Sequence, residues 1–183
     1  MNLANKLTLA RIFLVPLFLL ILAINIPYGQ FIAATVFIIA ASTDGLDGYI
    51  ARKKNQVTKL GKFMDPLADK LLVSAALISL VDLGHIPAWV AVVIIGREFA
   101  VTGLRSIVAS DGVVISASKL GKYKTVFQIV AIVALFLSDF PLNYIIPFAT
   151  IGEILMVVAI FFTIWSGVDY FNKARPILKG HKK

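Results

Sequence analysis

DGLDGYIARKKNQVTKLGKFMDPLAD, residues Asp44–Asp69, places four carboxylates between two apolar runs. Upstream lies FIAATVFIIAAST, from Phe31 to Thr43, and downstream KLLVSAALISLV, from Lys70 to Val81. Runs of this length and composition read as helices crossing or approaching hydrocarbon, at about 1.5 Å of rise per residue. Asp44 and Asp47 are spaced i, i+3, and Asp65 and Asp69 i, i+4. Each pair therefore shares one face of its helix. A carboxylate at membrane depth is costly unless it is paired, metal-bound or wetted, so its ordinary reading is functional.

Working outward, apolar stretches near spanning length extend over Leu7–Ile26, Phe31–Ile50, Phe63–Val81, Ile86–Val108, Leu120–Ser138 and Tyr144–Phe171. Hydrophobic residues make up 59% of the chain, more than the roughly half usual in a soluble domain. The sequence thus predicts an all-α integral membrane protein of six transmembrane helices, with residues 1–183 as one domain. Met1–Arg11 lacks the pattern of a secretory signal, because no small-residue cleavage site follows and further apolar segments do. Pro16 and Pro147 are expected to kink their spans.

Charge sets the orientation. The breaks Pro27-Tyr28-Gly29, Asp82-Leu83-Gly84 and Asp139-Phe140-Pro141 carry no lysine or arginine. The opposite ends carry Lys6 and Arg11, then Arg52, Lys53, Lys54, Lys59 and Lys62, then Lys119, Lys122 and Lys124, and finally Lys173, Arg175, Lys179, Lys182 and Lys183. By the positive-inside rule both termini face the cytoplasm, in a multi-pass protein of the cell membrane. The formal charge of +8 is thereby assigned to a membrane face and not to nucleic acid, and the basic end after Phe171 to an anchor on anionic lipid.

The second span runs inward and the third outward, so the carboxylates meet at matching depths. Asp47 and Asp65 fall about 5 Å, and Asp44 and Asp69 about 9–10 Å, below the cytoplasmic boundary. Four bare charges this close repel, so protonation or a divalent cation must intervene. Hard oxygen ligands favour magnesium, manganese or calcium. The chain has no cysteine, and its two histidines, His85 and His181, are far apart, so thiolate chemistry is excluded and a histidine metal site disfavoured. The expected site is a polar, metal-binding cavity opening to the cytoplasmic side.

Taken whole, Asp44-x2-Asp47-Gly48-x2-Ala51-Arg52-x8-Gly61-x3-Asp65-x3-Asp69 resembles the signature of the CDP-alcohol phosphotransferases at every fixed position. The resemblance implies a six-span membrane enzyme that transfers the phosphatidyl group of CDP-diacylglycerol to a small alcohol, releasing CMP. It implies that Asp44, Asp47 and Asp65 ligate metal, two ions per site, with Asp69 as general base and a further metal contact. Asn5, Thr8, Asp47, Gly48, Arg52, Thr58 and Gly61 are the implied contacts to the cytidine diphosphate. A homodimer with one active site per protomer is implied as well. The residue types suit this chemistry. Metal neutralises pyrophosphate charge and stabilises departing CMP, and an alcohol needs a base to become a nucleophile.

The acceptor is read from outside the signature. Arg97 and Glu98 lie well inside the fourth span, with Arg105 two turns further on. Arg97 can satisfy Glu98 or an anionic substrate. Together with Arg105, Lys119 and Lys124 it favours a phosphorylated acceptor, since guanidinium forks match phosphate oxygens. The segments Gly96-Arg97-Glu98-Phe99, Gly121-Lys122-Tyr123-Lys124-Thr125-x2-Gln128 and Asn5-Lys6-Leu7-Thr8-x2-Arg11, with Pro16, resemble the members of that family that use sn-glycerol 3-phosphate. Rival acceptors are inositol phosphate and phosphatidylglycerol. A cation- or proton-coupled transporter is the rival from another class, but it would need polar groups lining the outer half as well.

Overall fold

The computed structural model of the protein describes residues 3–24, 26–53, 59–110, 119–139 and 145–180, with side chains at 8–24, 26–43, 67–109, 120–139 and 145–176. The described residues form six α-helices, α1 Leu3–Ala23, α2 Gly29–Lys53, α3 Lys59–Asp82, α4 Ala88–Ser110, α5 Lys119–Phe136 and α6 Phe148–Gly180. Each coincides with one expected apolar stretch. The helices pack as a bundle in which α1 lies against α2 and α3, and α6 against α5 and α4.

Small residues set the spacing. Ala33, Ala34 and Ala40 on α2, Ala75 and Ala76 on α3 and Ala131 on α5 are buried where helices approach, as expected where lipid tails remove the hydrophobic incentive and close packing must hold helices together. Among them sit Phe18, Phe37 and Phe136, with Phe18 edge-on to Phe136 at 5.6 Å between centroids. At Gly152 a Cβ would stand 2.7 Å from Leu135 Cγ and 3.1 Å from the Leu135 nitrogen, so α5 and α6 meet at a distance only glycine allows.

Helix ends follow local chemistry. Gly84, at φ +76°, takes the left-handed position that closes α3, and the His85 amide reaches back to the Leu80 carbonyl at 2.9 Å while Gly84 N–H reaches Val81. Pro87 and Pro147 each stand just before a helix, where a missing N–H costs nothing. Pro147 therefore starts α6 instead of kinking a span, which corrects the expectation for that residue. Pro16 does lie inside α1, and α6 continues through Pro176 to Gly180, beyond the expected end at Phe171.

At the end of the bundle formed by the α1–α2, α3–α4 and α5–α6 connections, polar side chains tie the turns. Gln30 Nε2 donates to Asp139 Oδ2 at 2.8 Å, and His85 lies 3.4 Å from Gln30 Oε1 and 3.5 Å from Ser138 Oγ.

The outside of the bundle is apolar too. Phe13, Leu20, Ile39, Ile78, Val92, Phe99, Val126, Val157 and Ile164 all point outward, Phe13 at 71% and Val157 at 65% exposure. Within the described residues one stretch, Phe148–Pro176, is by itself long and apolar enough to cross a membrane. Thr8–Ala23 and Gly29–Thr43 are the apolar parts of α1 and α2 whose side chains are described, and α4 carries Arg97, Glu98 and Arg105 along its length.

Candidate active site

The charged signature occupies the last turns of α2 and the first turns of α3, with residues 54–58 between them. The side chains of Asn5, Asp44, Asp47, Gly48, Arg52, Gly61, Asp65 and Lys119, and Thr58 as a whole, lie outside the described residues. Thr8, Asp69, Arg97, Arg105 and Lys124 lie within them.

Asp69 faces a cavity of about 70 Å³ between α1, α2, α3, α4 and α5. Its walls include Arg11, Lys70, Ser74, Glu98, Lys124, Thr125 and Gln128. Thus the carboxylate expected to be the base and one lysine expected to hold the acceptor phosphate share one space. Thr8 and Arg11 are buried on α1, one turn apart on the side that packs against α2. Arg11 Nε donates to the Ala40 carbonyl at 3.2 Å, and the same carbonyl accepts from Thr43 Oγ1.

Glu98 organises the far wall. Its Oε1 accepts from Lys124 Nζ and from Arg97 Nη1, the latter at 3.1 Å, joining α4 to α5. Arg97 also donates through Nη2 to Ser166 Oγ at 2.7 Å and rests on the Tyr170 ring, 5.6 Å from its centroid. The carboxylate is three-quarters or more enclosed, as are both cations, so the group is a desolvated ion triad and not a surface pair. Arg97 thus meets Glu98, one of the two partners the sequence offered it. Neither Arg97 nor Arg105 lines the Asp69 cavity, and Arg105 is exposed, about 12 Å further along α4.

Two groups in this site are buried in a way that the sequence does not show. Arg11 counted as a topological charge, although its place four residues inside an apolar run already marked it as a cation needing an internal partner. Gln128 enters the sequence reading only within the segment that resembles the glycerol-phosphate-using members, with no contact assigned to it, yet it is 2% exposed and its Oε1 has no hydrogen-bond partner among the described residues. Nothing in a single glutamine on an apolar helix distinguishes a buried amide from one turned to water.

The oxygen-only donor set fits a hard divalent cation in type. Among the described side chains no three metal-ligating residues come together, and of the four carboxylates only Asp69 is in that set.

Residues 1–165 match the CDP-alcohol phosphatidyltransferase family. The chain is 50% identical over 191 residues to the CDP-diacylglycerol--glycerol-3-phosphate 3-phosphatidyltransferase of Bacillus subtilis, covering 97% of each. It is 41% identical over 174 residues to the enzyme of the same name from Rickettsia bellii, covering 95% of this chain and 96% of that one. With a probable phosphatidylglycerophosphate synthase of Mycobacterium tuberculosis it shares 44% identity, over 94% of this chain and 81% of the relative. A family match over most of the chain, joined to the signature on α2 and α3, establishes that this protein belongs to the CDP-alcohol phosphatidyltransferase family.

Proposed function

We propose that the protein transfers the phosphatidyl group of CDP-diacylglycerol to sn-glycerol 3-phosphate, giving phosphatidylglycerophosphate and CMP. What carries the reading is the coincidence of full-length similarity to 3-phosphatidyltransferases with a cavity lined by both Asp69 and Lys124. Whole-chain similarity also favours a single domain over residues 1–183.

In the reaction, the Asp69 carboxylate takes the proton of the acceptor's primary hydroxyl. The freed oxygen attacks the lipid-bearing phosphorus, the pyrophosphate P–O bond breaks, and CMP leaves with the bridging oxygen. No covalent enzyme intermediate is needed. Asp44, Asp47, Asp65 and Asp69 would hold magnesium or manganese, two ions per site, which supply charge neutralisation at the pyrophosphate and at departing CMP. Asn5, Thr8, Asp47, Gly48, Arg52, Thr58 and Gly61 hold the cytidine diphosphate. Lys119, Lys124 and Arg105 attract the acceptor phosphate, and Arg97 adds positive charge from its seat on Glu98 and Ser166. All six helices span the membrane, with the site and both termini on the cytoplasmic side, and the apolar outer surface of every helix supports this. The chain acts as a homodimer with one site per protomer.

The test is CMP release by the purified protein from CDP-diacylglycerol with magnesium and sn-glycerol 3-phosphate, inositol 1-phosphate or no acceptor. Release should require glycerol phosphate, fall by about a thousandfold or more in Asp69→Asn as base catalysis and metal binding are lost together, and vanish with a chelator until magnesium or manganese returns. Release with inositol phosphate alone would sink the acceptor assignment and leave the family intact.

A further inference from the structure

Gln128 is an unspent hydrogen-bond acceptor in the wall of the site. It is 2% exposed, lines the cavity that Asp69 and Lys124 share, and its Oε1 has no partner among the described residues. A buried carbonyl oxygen without a donor is unfavourable, so the position is one that a donor from elsewhere should complete.

We propose that Gln128 reads the second, non-reacting hydroxyl of the acceptor and so sets the preference for a polyol phosphate; this rests on the acceptor reading above. The assignment follows by elimination among the acceptor's groups. A phosphate dianion has only acceptor oxygens and cannot satisfy Oε1. The primary hydroxyl gives its proton to Asp69. The mid-chain hydroxyl is the one donor left over. Gln128 stands one helical turn beyond Lys124 on α5, about 6 Å along the axis, which suits the reach from a phosphate to the middle carbon of a three-carbon chain. A site that hydrogen-bonds a substrate hydroxyl rejects the analogue lacking it, because its own polar group is then left buried and unmatched.

The experiment compares sn-glycerol 3-phosphate with 3-hydroxypropyl phosphate, which keeps the attacking hydroxyl and phosphate but lacks the middle one. The full chain in detergent is assayed with CDP-diacylglycerol and magnesium, as wild type and as Gln128→Leu, with Gln128→Met as the nearer match in shape should the leucine variant fail to assemble. Wild type should favour glycerol phosphate by about tenfold or more in kcat/KM, one lost hydrogen bond to a buried acceptor. The variants should reduce that ratio to about threefold or less, the loss falling on glycerol phosphate. An equal loss on both acceptors, with the ratio kept, makes Gln128 a packing residue and overturns the proposal. A wild type indifferent to the missing hydroxyl overturns it as well. A wild type that releases CMP with neither acceptor refutes the underlying function, an outcome separate from the other two.

Discussion

Glu98 shows how much one side chain can hold. It is one residue from Arg97 in sequence and reaches across to Lys124 on α5, so one carboxylate fixes two buried cations from different helices. Removing the centre of such a triad leaves uncompensated charge, at a cost of about 3–5 kcal/mol. Glu98→Gln should therefore lower thermal stability, and it should also raise KM for the acceptor, because Lys124 loses the partner that aims it along the Asp69 cavity. Thermal unfolding together with acceptor titration checks both. Lys124→Met tests the same wall from the other side. Like Glu98→Gln it breaks the pair, but it removes the cation itself, so kcat/KM for glycerol phosphate should drop by about a hundredfold or more, the worth of a charged hydrogen bond and its buried partner. A variant that keeps wild-type kcat/KM would remove Lys124 from the acceptor site.

At the level of the helices, interfaces are set by small residues and by what stands at the ends. Gly152 lets α6 lie against Leu135, and the nearest obstacle to a Cβ includes the Leu135 backbone as well as its flexible tip. Gly152→Val should push α5 and α6 apart at about 1–3 kcal/mol, visible as a lower unfolding temperature in detergent, while Gly103→Val, in open space on α4, should leave it near wild type. The elements themselves were legible in the sequence, because each apolar run is a helix and every break holds Gly, Pro or Asp except Lys54-Asn55-Gln56-Val57-Thr58, which charge and polarity mark instead. Their exact ends were not. Tyr144 and Ile146 are apolar and so joined the expected sixth span, but Pro147 removes an amide from the ladder and the helix begins at Phe148. At the other end Lys173 and Arg175 marked an exit from hydrocarbon, a statement about solvent and not about backbone, and α6 runs on past both, with Lys173 paired to Asp169 one turn back at 2.7 Å. Of the site, intramembrane carboxylates stood out because their cost demands a reason. The Arg97–Glu98 pair stood as one of two alternatives, but its join to Lys124 and the burial of the Gln128 amide did not stand out, since which of several polar groups meet depends on helix rotation that periodicity leaves free.

For the whole molecule the outstanding physical question is which solvent covers it. Large apolar side chains face outward on all six helices, yet only α6 has both the length and the apolar composition to span by itself within the described residues. The two observations agree if the bundle crosses together, with Arg97 and Glu98 of α4 and Lys124 of α5 turned inward onto one another. The absence of cysteine from the sequence makes the arrangement directly testable, since any introduced thiol is unique. Leu83→Cys and Ile145→Cys lie in exposed turns at the end tied by Gln30, His85 and Asp139, and Lys173→Cys lies near the other end of α6. In intact cells a membrane-impermeant maleimide should label the first two and spare the third until the membrane is permeabilised. Labelling of 83 and 145 together requires an even number of crossings between them, which α4 and α5 supply. Labelling of 145 and 173 from one side would mean that α6 lies in the interface instead of crossing, and the six-span arrangement would then fail at its most apolar helix.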